Sequence, residues 1–454
     1  MRDIVVFAVV AAFLISALFS RFMGLVGYWW FGIFRPHDWA WSELIASLRL
    51  PLLSAVILVI PCAMQGIFPS LRGAIPKLIF IFLILVLVGK ITSSCMPIGM
   101  FRQDMWLQFS ILCYVVLLTV RLTDTPKRFF WVVAIVGLSL AFHAGKAGIS
   151  SLIGSGGTYY GASTMSGPFS GSNGFAFGSA VLLFFNIFLL NLCYTGHFFK
   201  FLPYQYDTSF IRFGIKTVFW VLLVGIAYNV ISLFSRGSFL AMCGGLFLWL
   251  MLNKKLKISY ALLSIPILFL VVQIAPLPEG FKERIDSVFV EEDEGEQLDH
   301  SAASRPHFWN VAYLIAKDYP LGIGPGCYNT MYPFYDSTNG FYGKYRTVHS
   351  SHFQVVAEVG FAGTIVWLLL YIVSLKQLFT IRKTAFKSNL KEDHRQFFFL
   401  AANMLITCQA VFFVGGAFYA QAYNDVIWLI WGLSASLSII FTQQLNQKST
   451  QNAN

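Results

Sequence analysis

Charge is the scarcest thing in this sequence. Asp, Glu, Lys and Arg make up 12% of its 454 residues, about half the share found in soluble domains. That shortfall excludes a surface built to face water on all sides. Cysteine is sparse too: seven residues stand singly, with Cys62, Cys113, Cys193, Cys243 and Cys408 inside apolar runs and no CxxC pair anywhere. Neither a disulfide framework nor a zinc site is therefore expected. No DxD motif falls in an outer loop, which argues against metal-dependent sugar transfer. There is no inverted repeat of the kind many transporters carry.

What the chain has is apolar sequence, 57% by residue, arranged in runs long enough to cross a hydrocarbon core of about 30 Å. Spans are expected near 48–68, 77–94, 104–120, 129–153, 173–195, 217–234, 238–253, 258–276, 353–376, 397–419 and 425–442. Ahead of them, 4–19 and 22–34 read as two short spans, or as one span and a re-entrant piece. No small-residue cleavage site follows 4–19, so it is kept in the mature chain. The fold class is an all-α polytopic membrane protein of twelve or thirteen spans.

Lysine and arginine set its orientation. Arg121, Lys127 and Arg128; Lys200, Arg212 and Lys216; Lys254, Lys255 and Lys257; and Lys376 through Arg395 fall on alternate loops of one side, which is cytoplasmic by the positive-inside rule. The formal charge of +11 reflects these loops and membrane lipids rather than a nucleic-acid partner. The other side receives 35–47, 95–103, 154–172, 235–237, 420–424 and one long segment, 277–352. That segment holds 11 of the 21 acidic residues and 6 of the 32 basic ones. The chain thus divides into a membrane region (1–276), an outer catalytic loop (277–352), further spans (353–442) and a polar cytoplasmic tail (443–454). Within the loop, the acidic run 291–296 reads as a solvated stretch. Ser304 to Asp318 reads as an amphipathic helix with Trp309, Ala312, Tyr313 and Ala316 on one face. Pro320-Leu321-Gly322-Ile323-Gly324 reads as a structural turn, since no Lys-Ser/Thr follows it as in a phosphate loop.

Topology brings three chemically distinctive residues to the outer face: Arg236 between two apolar runs, Arg305 at the start of the loop helix, and His349 where the loop re-enters the membrane. Arginine holds phosphate oxygens in bidentate fashion and keeps its charge. Histidine titrates near neutrality and takes a proton from a hydroxyl. Together they suit displacement of a (pyro)phosphate by a hydroxyl, with no metal or other cofactor required. His352, three residues on, is a candidate substrate contact lying about 60° from His349 if both sit on a helix. Glu358, about 180° round, is not placed to orient His349, but a glutamate in a span demands a partner. Lys146, beside His143 near an outer end, Asn173 and Arg346 complete the substrate-binding candidates. Lys90 and Arg49 read as interfacial.

His349-Ser350-Ser351-His352 followed by Glu358-Val359-Gly360-Phe361-Ala362-Gly363 resembles the signature of the O-antigen ligase and polymerase superfamily. Ser304-Arg305 to Trp309, the Pro-Leu-Gly-x-Gly turn and Ser235-Arg236-Gly237 resemble its other motifs, in the same order. Arg35-Pro36-His37-Asp38-Trp39, Lys146-Ala147-Gly148 and Gly167-Pro168-Phe169 are similar to the exosortase-associated O-glycosylation ligase branch, as is Ser350 after the histidine. The resemblance implies a polyprenyl-diphosphate-linked glycan as donor and a lipid, saccharide or protein hydroxyl as acceptor. It also implies an active site on the periplasmic face of a bacterial inner membrane, with His349 activating the acceptor, Arg236 and Arg305 holding the diphosphate, and inversion at the anomeric carbon. A polysaccharide polymerase of the same chemistry is the nearest alternative. A transporter for lipid-linked saccharides is the alternative of another class.

Overall fold

A computed structural model describes residues 2–39, 49–93, 95–97, 104–154, 169–253 and 304–453. The expected span at 258–276, the acidic run 291–296 and the glycine-rich stretch 155–168 lie outside the described residues. Helices α1 (Arg2–Phe19) and α2 (Arg21–Ile33) lead to α3 (Leu50–Met64), α4 (Ala74–Ser93), α5 (Met105–Leu122), α6 (Pro126–Ile153), α7 (Gly171–Tyr194), α8 (Ser209–Ser232) and α9 (Arg236–Leu252). Then come α10 (Arg305–Asp318) and α11 (Tyr328–Tyr335) in the outer loop, and α12 (Ser351–Ala385), α13 (Glu392–Gly416) and α14 (Asp425–Ala453). Among the described residues, 8 helices are long and apolar enough to cross a membrane, and shorter apolar helices occur in α1, α3 and α9. The protein is an all-α polytopic membrane protein, and every expected span except 258–276 coincides with a helix. Helix α2 has 13 residues, about 20 Å of rise, too short to cross a hydrocarbon core unaided. Helix α14 runs on past the apolar stretch to Ala453, so the polar tail is helical.

The bundle is held by close backbone crossings and internal polar pairs, because apolar side chains gain little from leaving lipid. Where α6 crosses α8, a Cβ on Gly148 would sit 1.8 Å from the Gly225 carbonyl oxygen, so only glycine allows this approach. Buried Asn229 donates to Ser179 Oγ at 3.1 Å, tying α8 to α7. Gln409 donates to Ser374 Oγ at 2.9 Å, tying α13 to α12.

A second, separate core lies outside the bundle. Phe308, Val311, Ala312 and Ile315 of α10 bury against Ile323, Tyr328, Tyr332 and Val348. The buried face of α10 differs from the expected one: Tyr313 is 48% exposed and Phe308 takes the inner position. Cys95 and Cys327 also belong to this core and form a disulfide, which corrects the expectation that no disulfide would occur. One cysteine in each of two loops, 232 residues apart, carries no spacing pattern to read. The bond straps the segment after α4 to the cap, assisted by Ser93 Oγ donating to the Ile323 carbonyl at 2.6 Å and Thr330 donating to the Met96 carbonyl at 2.9 Å.

The cap docks on a break in α12. Gly360 has φ +75° and ψ −172°, a conformation open essentially to glycine alone. Around this break, the Ala357 and Glu358 carbonyls accept from Ile323 and Gly324 N–H at 3.1 and 3.0 Å, while Phe361 N–H donates to the Pro320 carbonyl at 3.2 Å. Gly322 and Gly324 are left-handed (φ +85° and +86°), and a Cβ on Gly322 would meet the Glu358 oxygen at 2.4 Å. The glycines of the turn and of Glu-x-Gly are thus two halves of one backbone joint, and the turn is structural as expected. A Cβ on Gly360 would lie 2.1 Å from the Pro320 oxygen. Gly360→Ala is therefore expected to lower stability by about 2 kcal/mol or more. Gly214→Ala, where nothing lies within 4 Å, should be neutral or mildly stabilising; thermal unfolding followed by fluorescence-detected size exclusion compares the two.

Candidate active site

Five structural elements meet at the outer end of the bundle: the starts of α9, α10 and α12, the end of α13, and the segment 417–424 between α13 and α14. Ser351, in the first turn of α12, donates to the Tyr419 carbonyl at 2.6 Å and accepts from Gln421 N–H at 3.0 Å. Gln354, one turn on, accepts from Ala422 N–H at 3.0 Å and donates to Glu358 at 3.2 Å. The other Glu358 oxygen accepts from Tyr328 N–H at 3.2 Å. The partner a buried glutamate demands is thus a set of donors from the cap and its own helix, with no part in orienting His349.

Segment 417–424 in turn positions both arginines. Phe418 packs directly on Gly237, whose added Cβ would sit 3.0 Å from three of its atoms; glycine after Arg236 is what admits the ring. The Arg305 guanidinium stands over Phe418, 5.2 Å from its centroid, a cation–π contact. Tyr419 hydrogen-bonds through its hydroxyl to Ser235, the residue before Arg236. One aromatic ring therefore meets both Gly237, next to Arg236, and the Arg305 side chain. The Nε of Arg305 is buried and has no hydrogen-bond partner among the described residues, an unusual condition for a charged donor.

His349 precedes α12 and is not on a helix, so the expected 60° relation to His352 does not hold. Its φ is +48°, left-handed for a residue with a side chain. Phe234, before Ser235-Arg236, is likewise at φ +55°. Backbone strain of this kind persists only where surroundings impose it and gathers at functional sites. The His349 ring lies 5.8 Å from that of Phe308. Burial, then the positive charges of Arg305 and Arg346, push its pKa below the ordinary 6.5, leaving a neutral imidazole at pH 7. Both arginines are thus within electrostatic reach of the histidine.

Of the remaining candidates, only Arg346 is within electrostatic reach of His349. His352 has both ring nitrogens engaged: Trp367 Nε1–H donates to Nδ1 at 3.1 Å, and Nε2 meets the Phe413 carbonyl at 2.9 Å. It locks α12 to α13 and has no nitrogen left for a substrate. Arg346 is exposed and its Nε donates to the Tyr342 carbonyl. Lys146 and Asn173 are exposed at the outer ends of α6 and α7. Lys90 donates to the Cys95 carbonyl at 2.6 Å, a structural tie to the disulfide strap. Phe418, Tyr419 and Gln354 are not singled out by the sequence, because none carries charge at neutral pH and their contacts join segments far apart in the chain.

Arg305 beside a neutral His349 imidazole, with Arg236 at the start of α9 across the Phe418 contact, is an arrangement compatible with stabilising an anionic leaving group while a hydroxyl loses its proton. Because cations hold the His349 pKa down, Arg346→Ala should move its titration to higher pH. NMR of [15N]histidine-labelled protein measures this, and an unmoved titration would contradict the electrostatic picture.

Residues 220–368 match the protein family described as O-antigen ligase. Residues 1–195 match a family of unknown function. No curated protein matches the chain.

Proposed function

Because residues 220–368 match the O-antigen ligase family, we propose that the chain transfers a glycan from a polyprenyl diphosphate to an acceptor hydroxyl at the periplasmic face of a bacterial inner membrane. Glycan transfer of this general kind follows from the family. The choice of residues rests chiefly on one observation: Arg305, whose buried Nε has no partner among the described residues, shares the Phe418 ring with Gly237, the residue after Arg236, and lies within charge range of His349.

In the proposed reaction the diphosphate lies between Arg236 and Arg305, Arg305 Nε–H finding its missing acceptor in a phosphate oxygen. The neutral His349 imidazole takes the proton of the acceptor hydroxyl as that oxygen bonds to the anomeric carbon. The bond from this carbon to the diphosphate oxygen breaks, and the electron pair leaves with the polyprenyl diphosphate. Attack opposite the leaving group inverts the anomeric centre. The two arginines offset the developing charge, so the step needs no cofactor. Lys146, Asn173 and Arg346, all exposed on the outer side, are the residues proposed to meet the glycan portions of donor or acceptor. The exosortase-associated branch is retained as a proposal on the Arg35-Pro36-His37-Asp38-Trp39 and Ser350 resemblances.

His349→Ala should lower transfer by at least about a hundredfold while its affinity for farnesyl diphosphate is retained. Arg305→Ala should weaken that affinity by about tenfold to a hundredfold, as loss of a charge-assisted hydrogen bond does. Reconstituted transfer and direct titration measure the two effects. Full transfer by His349→Ala would refute the assignment of the base.

A further inference from the structure

A second polar cluster sits in the region matching the family of unknown function, just beyond α2. Arg35 has φ +52°, the same unfavourable left-handed backbone found at His349 and Phe234. Its Nε donates to Asp38 Oδ2 at 3.0 Å, and its Nη2 lies 3.0 Å from His37 Nε2. A guanidinium has only donors, so Nε2 of His37 is the acceptor and the ring's proton is on Nδ1. That Nδ1 is buried and has no hydrogen-bond partner among the described residues, in a residue only 9% exposed. Burial, then the Arg35 charge, disfavour a protonated ring and together outweigh the opposing pull of Asp38.

The surroundings are mixed in a characteristic way. Phe34 stacks on Trp30 at 5.1 Å and lies 5.8 Å from the half-exposed Phe142. His143 Nε2 meets the Phe34 carbonyl at 2.9 Å and is within electrostatic reach of Asp38 and Lys146. The cluster is not remote from the proposed chemistry. Arg35 feels the charge of Asp425, the first residue of α14, which directly follows the 417–424 segment carrying Phe418 and Tyr419. One short connection thus has the arginine–histidine site at one end and this cluster at the other.

We propose that Arg35, His37 and Asp38 form a saccharide-binding site for the glycan acceptor, with a sugar hydroxyl oxygen accepting the His37 Nδ1–H. A buried donor without a partner is costly, and its natural complement is an uncharged oxygen, because the nearby cations and carboxyls largely balance. A guanidinium, a carboxyl and an N–H beside aromatic faces together bind adjacent sugar hydroxyls, which both donate and accept. This proposal rests on the transfer reading above and assigns the acceptor to the N-terminal region, the donor diphosphate to the arginines.

The test uses the full chain with His37→Phe, which removes the donor, and His37→Asn, whose amide N–H falls near the position of Nδ1. Two readouts are taken: glycan ligated in cells whose only copy is the variant, and the affinity of the purified variant for farnesyl diphosphate. His37→Phe should cut ligation by about tenfold or more with farnesyl diphosphate affinity unchanged, and His37→Asn should restore most of it. Normal ligation by His37→Phe would mean that water satisfies Nδ1, and would overturn the proposal. So would joint loss of ligation and diphosphate affinity, or an Asn variant no better than Phe. A wild-type protein that neither ligates nor binds farnesyl diphosphate would instead overturn the transfer reading.

Discussion

A broken helix organises the outer half of this protein. Were α12 continuous through Gly360, the Pro320–Gly324 turn would find no open backbone to pair with and the cap would have no fixed seat. The left-handed glycine lets the turn in, and Ile323 and Gly324 N–H bond to the Ala357 and Glu358 carbonyls beside the break. The Glu358 side chain then draws in Tyr328 N–H and Gln354. Backbone pairing at membrane depth is tolerated only where protein satisfies it; here the cap is that protein. The Cys95–Cys327 disulfide adds a second fastening on the far side of the same turn.

From that seat the geometry propagates through α12 to segment 417–424. Ser351 and Gln354 hold this segment by three hydrogen bonds, and the segment in turn presents Phe418 to Arg305 and Gly237. Arg236 and Arg305 come from sequence positions far apart, but each is referenced to the same aromatic ring. His349 is referenced to it through Ser351, two residues on. His349, Arg305 and the start of α9 are therefore linked by a single chain of contacts.

The membrane spans were legible because length and apolarity alone define them, and α10 because its apolar period is helical. Topology brought the segments that carry Arg236, Arg305 and His349 to one end of the bundle, and their chemical roles are proposed from that placement. Other features depended on contacts between distant segments. Cys95 and Cys327 meet only once the cap folds, and Phe418 and Tyr419 look like ordinary residues at a span end. His352 was misread because a spacing of three suggested shared helical faces, whereas the helix starts after His349 and turns His352 inward to Trp367. The orphaned donor of His37 has no sequence signal at all, since it arises from Arg35 capturing the opposite ring nitrogen.

The central claim is that one cavity holds the leaving diphosphate between Arg236 and Arg305 with His349 facing the reacting carbon. A cryo-EM structure of the full chain in nanodiscs with a non-hydrolysable polyprenyl diphosphoglycan tests it directly. The account predicts diphosphate density bonded to both guanidinium groups, including Arg305 Nε, and the His349 ring on the side opposite the leaving oxygen. Diphosphate density away from Phe418, or a donor whose anomeric carbon His349 does not face, would contradict it.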